Sequence, residues 1–388
     1  MRKLSIFGAT GTIGDNTLDL VDRHRDMFDV QVLSAHENVD KLARLARKYM
    51  PTLVVISNPE FLPALKTQIA DLPIQAEAGP EALIYAASQS VDLVVMGIVG
   101  FAGLAPTISA VRHADAVALA NKECLVVSGA MVMHEAARHE TLLLPVDSEH
   151  NAVFQILDGR DIQGLDKIVL TASGGPFRET PGDALRHVTP EMAVAHPNWE
   201  MGAKISVDSA TLMNKGLELI EARVLFNLDP AALDVVVHPQ SIVHALVYYC
   251  DGSVLAQMAN PDMRGPLAHC LGYPDRFSGD IAPLDLAAAG SLTFEPADRD
   301  RFPCLVLAER AMIAGGIYPT ILNAANEVAV AGFLAGTLNF TEIAGMAAHA
   351  LDMQTELATP FDPTVLEDLD ACDKKTRHFC SELIKRKI

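Results

Sequence analysis

The chain has little of what marks several common protein classes. Its six cysteines, Cys124, Cys250, Cys270, Cys304, Cys372 and Cys380, are scattered with no CxxC pair. That spacing offers neither a disulfide framework nor a zinc knuckle, so the thiols are expected to be reduced and structural. Basic residues are in deficit: 30 Lys and Arg against 49 Asp and Glu leave a net charge of −19, and no basic cluster stands out beyond the tail Lys385 to Lys387. Nucleic acid and anionic membrane are therefore unfavoured partners. Internal repeats and low-complexity tracts are absent. The opening MRKLSIFGATG gives only a four-residue apolar stretch before its glycines, too short for the apolar region of a signal peptide, and a cytoplasmic location is expected. The one long charge-free run, Leu93 to Val111, carries Gly97, Gly100, Gly103 and Pro106 at turn-like spacing. It reads as strand, loop and helix rather than a membrane span.

What is present is a globular composition, 50% hydrophobic and 20% charged over 388 residues, long enough for two or three domains. Through the first 145 residues, apolar runs (LSIF, VQVLS, LVVIS, DLVVMGIV, AVALA, TLLLPV) alternate with segments of helical period such as VDKLARLARKY. Such alternation predicts a doubly wound, mostly parallel sheet. Its first turn is a GxxGxxG loop, Gly8 to Gly14, directly before a helix. Glycine there lets the backbone approach a pyrophosphate, which the helix N-terminus can bind. A tight turn with no ligand is the plainer reading. At the end of the second strand, Glu37 suits a ribose 2′-hydroxyl while a protonated His36 suits a 2′-phosphate, so the two point in opposite directions.

After Leu142 to Leu144 the run ends in Asp147-Ser-Glu-His150. If the extended conformation continues, Asp147 and Glu149 share one face. Two close carboxylates need a shared proton or a divalent cation between them, unless they are unrelated acids on a solvated loop. Further on, IVLTAS, DVVVH, SIVHALVYY and SVLAQMA predict strands, the last two joined across Cys250-Asp-Gly252 as a hairpin. This is an α+β pattern with an antiparallel edge. In SVDSATLMNKGLELIEA a helix is expected to start close to Ser209, placing Asn214 and Glu218 four apart on one face beside Lys215. Such a face suits a phosphorylated, hydroxylated small molecule, with Ser209, Asn214 and Lys215 on the phosphate and Glu218 as a third hard oxygen ligand; a solvent-facing Lys/Glu pair is the plainer alternative. Ser173-Gly-Gly-Pro176 is a second candidate phosphate loop. From Pro303 onward, Ala-rich helical patterns predict a small bundle.

GATGTIG, ANKE at 120–123, PVDSEHNA, TASGGPFRET, HPNWEMG, KISVDSATLMNKGLE, HPQS, PDMR and NAANE together resemble the 1-deoxy-D-xylulose 5-phosphate reductoisomerase family from end to end. The resemblance implies an α/β Rossmann-like NADPH domain (1–146), an α+β catalytic and dimerisation domain (147–270), a linker (271–300) and a C-terminal α-helical bundle (301–388), assembled as a homodimer. It implies conversion of 1-deoxy-D-xylulose 5-phosphate to 2-C-methyl-D-erythritol 4-phosphate by metal-assisted rearrangement, through either a retroaldol/aldol path or a ketol shift, and then NADPH reduction. By the resemblance, Asp147, Glu149 and Glu218 are ligands for Mg²⁺, Mn²⁺ or Co²⁺. Lys122 and Ser148 meet the hydroxyl end of the sugar phosphate, and Ser173, Ser209, Asn214 and Lys215 meet its phosphate. His196 and Trp199 lie on a closing flap. Gly8, Thr10, Gly11, Thr12, Ile13, His36, Asn38, Asn121, Glu123 and Gly202 meet the cofactor. Two other classes remain at this point: a metal-assisted NAD(P)-dependent dehydrogenase of a phosphorylated hydroxy acid, and an inactive cofactor-binding sensor.

Overall fold

The computed structural model describes residues 1–157, 164–195, 202–357 and 361–387. Contacts divide the chain into two compact units: Met1–Cys124, Val132–Asn151 and Asp262–Ile281 form the first, and Leu125–Met131, Ala152–Pro261 and Ala282–Ile388 the second.

The first unit is built on seven strands: β1 (Arg2–Phe7), β2 (Phe28–Ala35), β3 (Leu53–Ile56), β4 (Gln75–Ala78), β5 (Leu93–Met96), β6 (Ala116–Leu119) and β7 (Leu142–Pro145). All adjacent pairs are parallel, in the order β4-β3-β2-β1-β5-β6-β7. Apart from β4 these are the expected apolar runs. The segment QAEA lacks the unbroken apolar face that marks the others, as an edge strand with an exposed first residue can. The chain order reverses between β1 and β5, and open α/β sheets bind ligands at such a switch point. The run from Leu93 to Val111 resolves into β5 and the helix Leu104–His113. Among the described residues no helix is long and apolar enough to cross a membrane.

The second unit carries β8 (Leu165–Ala172), β9 (Leu233–Val237), β10 (Val243–Tyr249), β11 (Val254–Met258) and β12 (Glu295–Pro296) in the order β11-β10-β8-β9-β12. Only β8 and β9 run parallel; the hairpin β10–β11 forms the expected antiparallel edge. The helices Pro303–Ala314, Tyr318–Leu334, Phe340–Asp352 and Leu366–Lys387 follow, and their apolar faces merge with the sheet into one core that includes Leu170, Leu217, Leu305, Ile321 and Phe333. The helical region thus shares its core with the α+β sheet.

Residues 262–281, which straddle the boundary expected at 270, pack with the first unit. There the Arg2 guanidinium donates to the Leu271 and Tyr273 carbonyls. The stretch expected as a linker also supplies β12, which pairs with β9.

Candidate active site

The glycine loop follows β1. Gly8 has φ +80°, and a Cβ there would lie 2.7 Å from the Gly97 carbonyl oxygen just beyond β5. A Cβ on Gly14 would lie 2.5 Å from the Ala9 backbone, so only glycine lets the helix Thr12–Arg23 sit this close to the loop that leaves β1. Gly11 caps that helix with no side chain on its free N–H groups, leaving Thr12 and Ile13 at an anion-binding helix start. The Lys41 ammonium closes the loop from beside it, donating to the Thr10 carbonyl at 3.0 Å and pairing with Asp15 at 2.6 Å. Asn38 caps the helix Val39–Tyr49 through Lys41 N–H. His36 and Glu37 are both exposed, 3.3 Å apart; the His36 ring also meets Ser57, and Glu37 accepts from Asn58. This cradle, lined by glycine where a Cβ would fill it, fits a dinucleotide.

Asn121 is buried and caps the helix Lys122–His139 by accepting from Cys124 N–H, while its amide donates to the Ile98 and Gly100 carbonyls. It therefore fixes the loop after β5 as well as the start of its own helix. Lys122 and Glu123 are buried beside it.

The extended reading of Asp147 to His150 is corrected: a helix, Ser148–Leu157, begins directly after Asp147, whose carbonyl accepts from Asn151 N–H at 2.8 Å. Asp147 thus holds the N-cap position and Glu149 the first turn, where carboxylates are favoured by the helix dipole. That acid-rich start was the sequence signal for a helix. Asp147 and Lys122 form a nearly buried ion pair. Burial works to raise the Asp147 pKa, but the Lys122 and His150 charges and hydrogen bonds from its neighbours overcome it and hold the carboxyl well below its usual range. The Glu149 carboxylate accepts from Ser148 at 2.6 Å. Asn151, which the sequence reading passed over, donates to the Pro145 carbonyl at 2.8 Å and meets His269 at 3.1 Å, tying this first turn to the end of β7.

In the second unit the Ser173 loop meets the backbone at Ser209. A second correction concerns Ser209: it lies near the end of one helix, Ala203–Ala210, and the next, Met213–Leu225, starts after Leu212 turns to φ +59°. Apolar spacing runs through both helices and hides the break. Gly174 and Gly175 have φ +84° and +67°, Ser173 Oγ accepts from Gly175 N–H, and a Cβ on Gly175 would lie 2.8 Å from the Ser209 carbonyl oxygen. The glycines thus bring the Ser173 loop against the Ser209 backbone. Asn214 and Lys215 both donate to the Glu218 carboxylate from one helix face, as the spacing predicted, and Lys215 and Glu218 are buried. Gly202 caps Ala203–Ala210 and is exposed. His196 and Trp199 lie outside the described residues.

Asp147, Glu149 and Glu218 offer only carboxylate oxygens, each held with an ammonium or hydroxyl partner. This is a hard donor set suited to a magnesium-like cation.

Models of the 1-deoxy-D-xylulose 5-phosphate reductoisomerase match residues 4–129, its C-terminal domain residues 143–226, and a further DXP reductoisomerase C-terminal domain residues 258–379. A 1-deoxy-D-xylulose 5-phosphate reductoisomerase of Acidithiobacillus ferrooxidans is 51% identical over 97% of this chain and 96% of its own length. The chain belongs to the 1-deoxy-D-xylulose 5-phosphate reductoisomerase family. Within that family, the enzyme of Pseudomonas putida is 47% identical over 99% of this chain and 97% of its own. Among solved structures, a DOX-P reductoisomerase in complex with NADPH, fosmidomycin and magnesium superposes with a TM-score of 0.96 at 42% identity, covering 99% of this chain and 98% of that one. The Zymomonas mobilis reductoisomerase in complex with NADPH gives 0.92 at 43% identity, covering 99% of both chains.

Proposed function

We propose that the chain converts 1-deoxy-D-xylulose 5-phosphate to 2-C-methyl-D-erythritol 4-phosphate with NADPH and a divalent cation, as a step of isoprenoid synthesis. The observation that carries the reading is the end-to-end likeness to reductoisomerases, with the three carboxylates, the three serines and both lysines of the expected sites in place.

Asp147, Glu149 and Glu218 are the residues that would hold the cation. When bound, the cation supplies Lewis-acid polarisation of the ketone and its neighbouring hydroxyl, and NADPH supplies the hydride. The protein's own groups do the rest. Lys122, paired with Asp147, neutralises negative charge at the hydroxyl end and exchanges a proton with an oxygen there. Ser148 offers its hydroxyl to the same end. Ser173, Ser209, Asn214 and Lys215 grip the phosphate, far from the reacting carbons, and convert that binding into orientation. The family resemblance also assigns His196 and Trp199 to the substrate; both lie outside the described residues. Gly8, Thr10, Gly11, Thr12 and Ile13 receive the pyrophosphate, with His36, Asn38, Asn121, Glu123 and Gly202 completing the cofactor site.

The reading includes a homodimer. It is supported by β11, an edge strand whose Val254 and Leu255 are 41% and 38% exposed, since a bare apolar edge favours pairing with a second copy. A reducing, cytoplasmic setting accords with five buried free thiols. The test is to incubate the protein with 1-deoxy-D-xylulose 5-phosphate, NADPH and Mg²⁺ and identify the product by NMR. The branched polyol phosphate is expected; a reduced product with an unrearranged carbon chain would instead mark a plain dehydrogenase.

A further inference from the structure

The NAANE motif, residues 323–327, has no role in the account so far. It lies in the helix Tyr318–Leu334, and its second asparagine, Asn326, is fully buried. The Asn326 amide donates to the Asp208 carboxylate at 2.7 Å, and the other Asp208 oxygen takes the Lys204 ammonium at 3.1 Å, one helical turn back. A carboxylate accepts only, so this bond fixes the amide orientation and leaves Asn326 Oδ1 buried with no partner among the described residues. Asp208 is itself buried, 1% exposed, near the C-terminal end of the helix Ala203–Ala210, where the dipole disfavours a negative charge. Two unfavourable placements are thus kept together, and Ser209 is the next residue. Ser209 is bounded on its other side by Gly175, which leaves no room for a Cβ and gives its N–H to Ser173.

We propose that Asp208, latched by Asn326 and neutralised by Lys204, is a positioning residue for the phosphate end of the site: it fixes the last turn of its helix so that Ser209 stands at the right separation from Ser173. The inference rests on the phosphate reading of those two serines. NAANE then connects the helical region to the substrate site through Asn326, while its Glu327 pairs with Arg377 of the last helix.

Steady-state kinetics of Asp208→Asn, Lys204→Met, Ser209→Ala and Lys215→Met test it in the full-length enzyme. Asp208→Asn and Lys204→Met should each raise KM for the sugar phosphate about tenfold, with kcat within roughly threefold and KM for NADPH unchanged, the pattern of lost uniform binding. A fall in Tm with an unchanged sugar-phosphate KM, or equal rises for both ligands, would overturn the proposal as merely structural. If Asp208→Asn does not fold, Lys204→Met, whose side chain is 21% exposed, decides by the same criterion. Should Ser209→Ala and Lys215→Met also leave KM unchanged, the phosphate reading itself fails; should they raise it while the other two do not, this inference alone fails.

Discussion

Asp147 and Glu218 are both nearly buried carboxylates held against a lysine, yet their lysines arrive by different routes. Lys122 comes from a separate helix start, beyond β6, and reaches Asp147 only because β6 and β7 lie side by side in the sheet. Lys215 and Asn214 reach Glu218 from within its own helix, three and four positions back. The first arrangement depends on tertiary structure and the second on helical period. A buried acid is tolerated when a matched cation and hydrogen bonds repay its desolvation, and both sites meet that condition before any ligand enters. On the proposed reading, each would exchange its lysine for the bound cation.

The largest effects should come from the acids, where the two sites are expected to behave alike. Asp147→Asn and Glu218→Gln should each lower kcat on the order of a thousandfold or more, because Lewis-acid stabilisation is worth several kcal/mol. NADPH affinity, measured by fluorescence titration, should change little. If either variant keeps near wild-type turnover at low Mg²⁺, that carboxylate is not a ligand and the pairing of the two sites is broken.

The lysines should separate what the acids unite. Lys215→Met should raise KM for the sugar phosphate roughly ten- to a hundredfold as the phosphate loses a charged contact. Lys122→Met should act mainly on kcat, at the reacting end. Each change also takes the lysine from a buried carboxylate, a cost of up to about 3–5 kcal/mol, so Tm should fall in both and recover on adding Mg²⁺. Identical kinetic profiles would mean that the lysines do not serve opposite ends of the substrate.

The same contrast explains what could be read in advance. The parallel sheet was legible because its buried strands are near-continuous apolar runs, and the Asn214–Glu218 face because helical period is local. The glycine loop was legible because its glycines are demanded by backbone approach. The helix after Asp147 was misread because the apolar run of β7 invites continuation, although an N-cap acid followed by Glu149 carries the opposite signal. The break at Leu212 was hidden because apolar spacing continues through it. Neither the Lys122–Asp147 pair nor the Asn326–Asp208 bond has any trace in local pattern, since each joins residues brought together only by packing.

A smaller effect is expected at the cofactor loop. Glu37 is exposed and accepts from Asn58, so its charge stands near the end of β2, where a 2′-phosphate is recognised. Glu37→Lys should lower KM for NADPH a few-fold and leave that for NADH nearly constant. An unchanged NADPH value would show that the carboxylate is turned away from the cofactor.

The smallest effects concern the thiols, Cys270 in the first unit and Cys304 in the second, both pushed up to about 12 by burial first of all. Unfolded thiols ionise from about pH 8.5, so the unfolded chain sheds these protons first. The folded state's advantage is complete below that pH and declines as pH rises toward 12. Tm should therefore fall steadily from pH 8.5 to 11, and less steeply in a variant with both cysteines changed to Ala. At pH 8 a thiol reagent should modify the exposed Cys250 alone; rapid labelling of Cys270 or Cys304 in the native protein would contradict their burial.

The central claim is that Asp147, Glu149 and Glu218 serve one cation. Titration with Mn²⁺, followed by electron paramagnetic resonance of the free ion, tests it most directly. One tight site per chain is expected in the wild type, and Asp147→Asn, Glu149→Gln and Glu218→Gln should each abolish that same site. A site that survives the loss of Glu218 while disappearing with Asp147, or two sites lost independently, would contradict it.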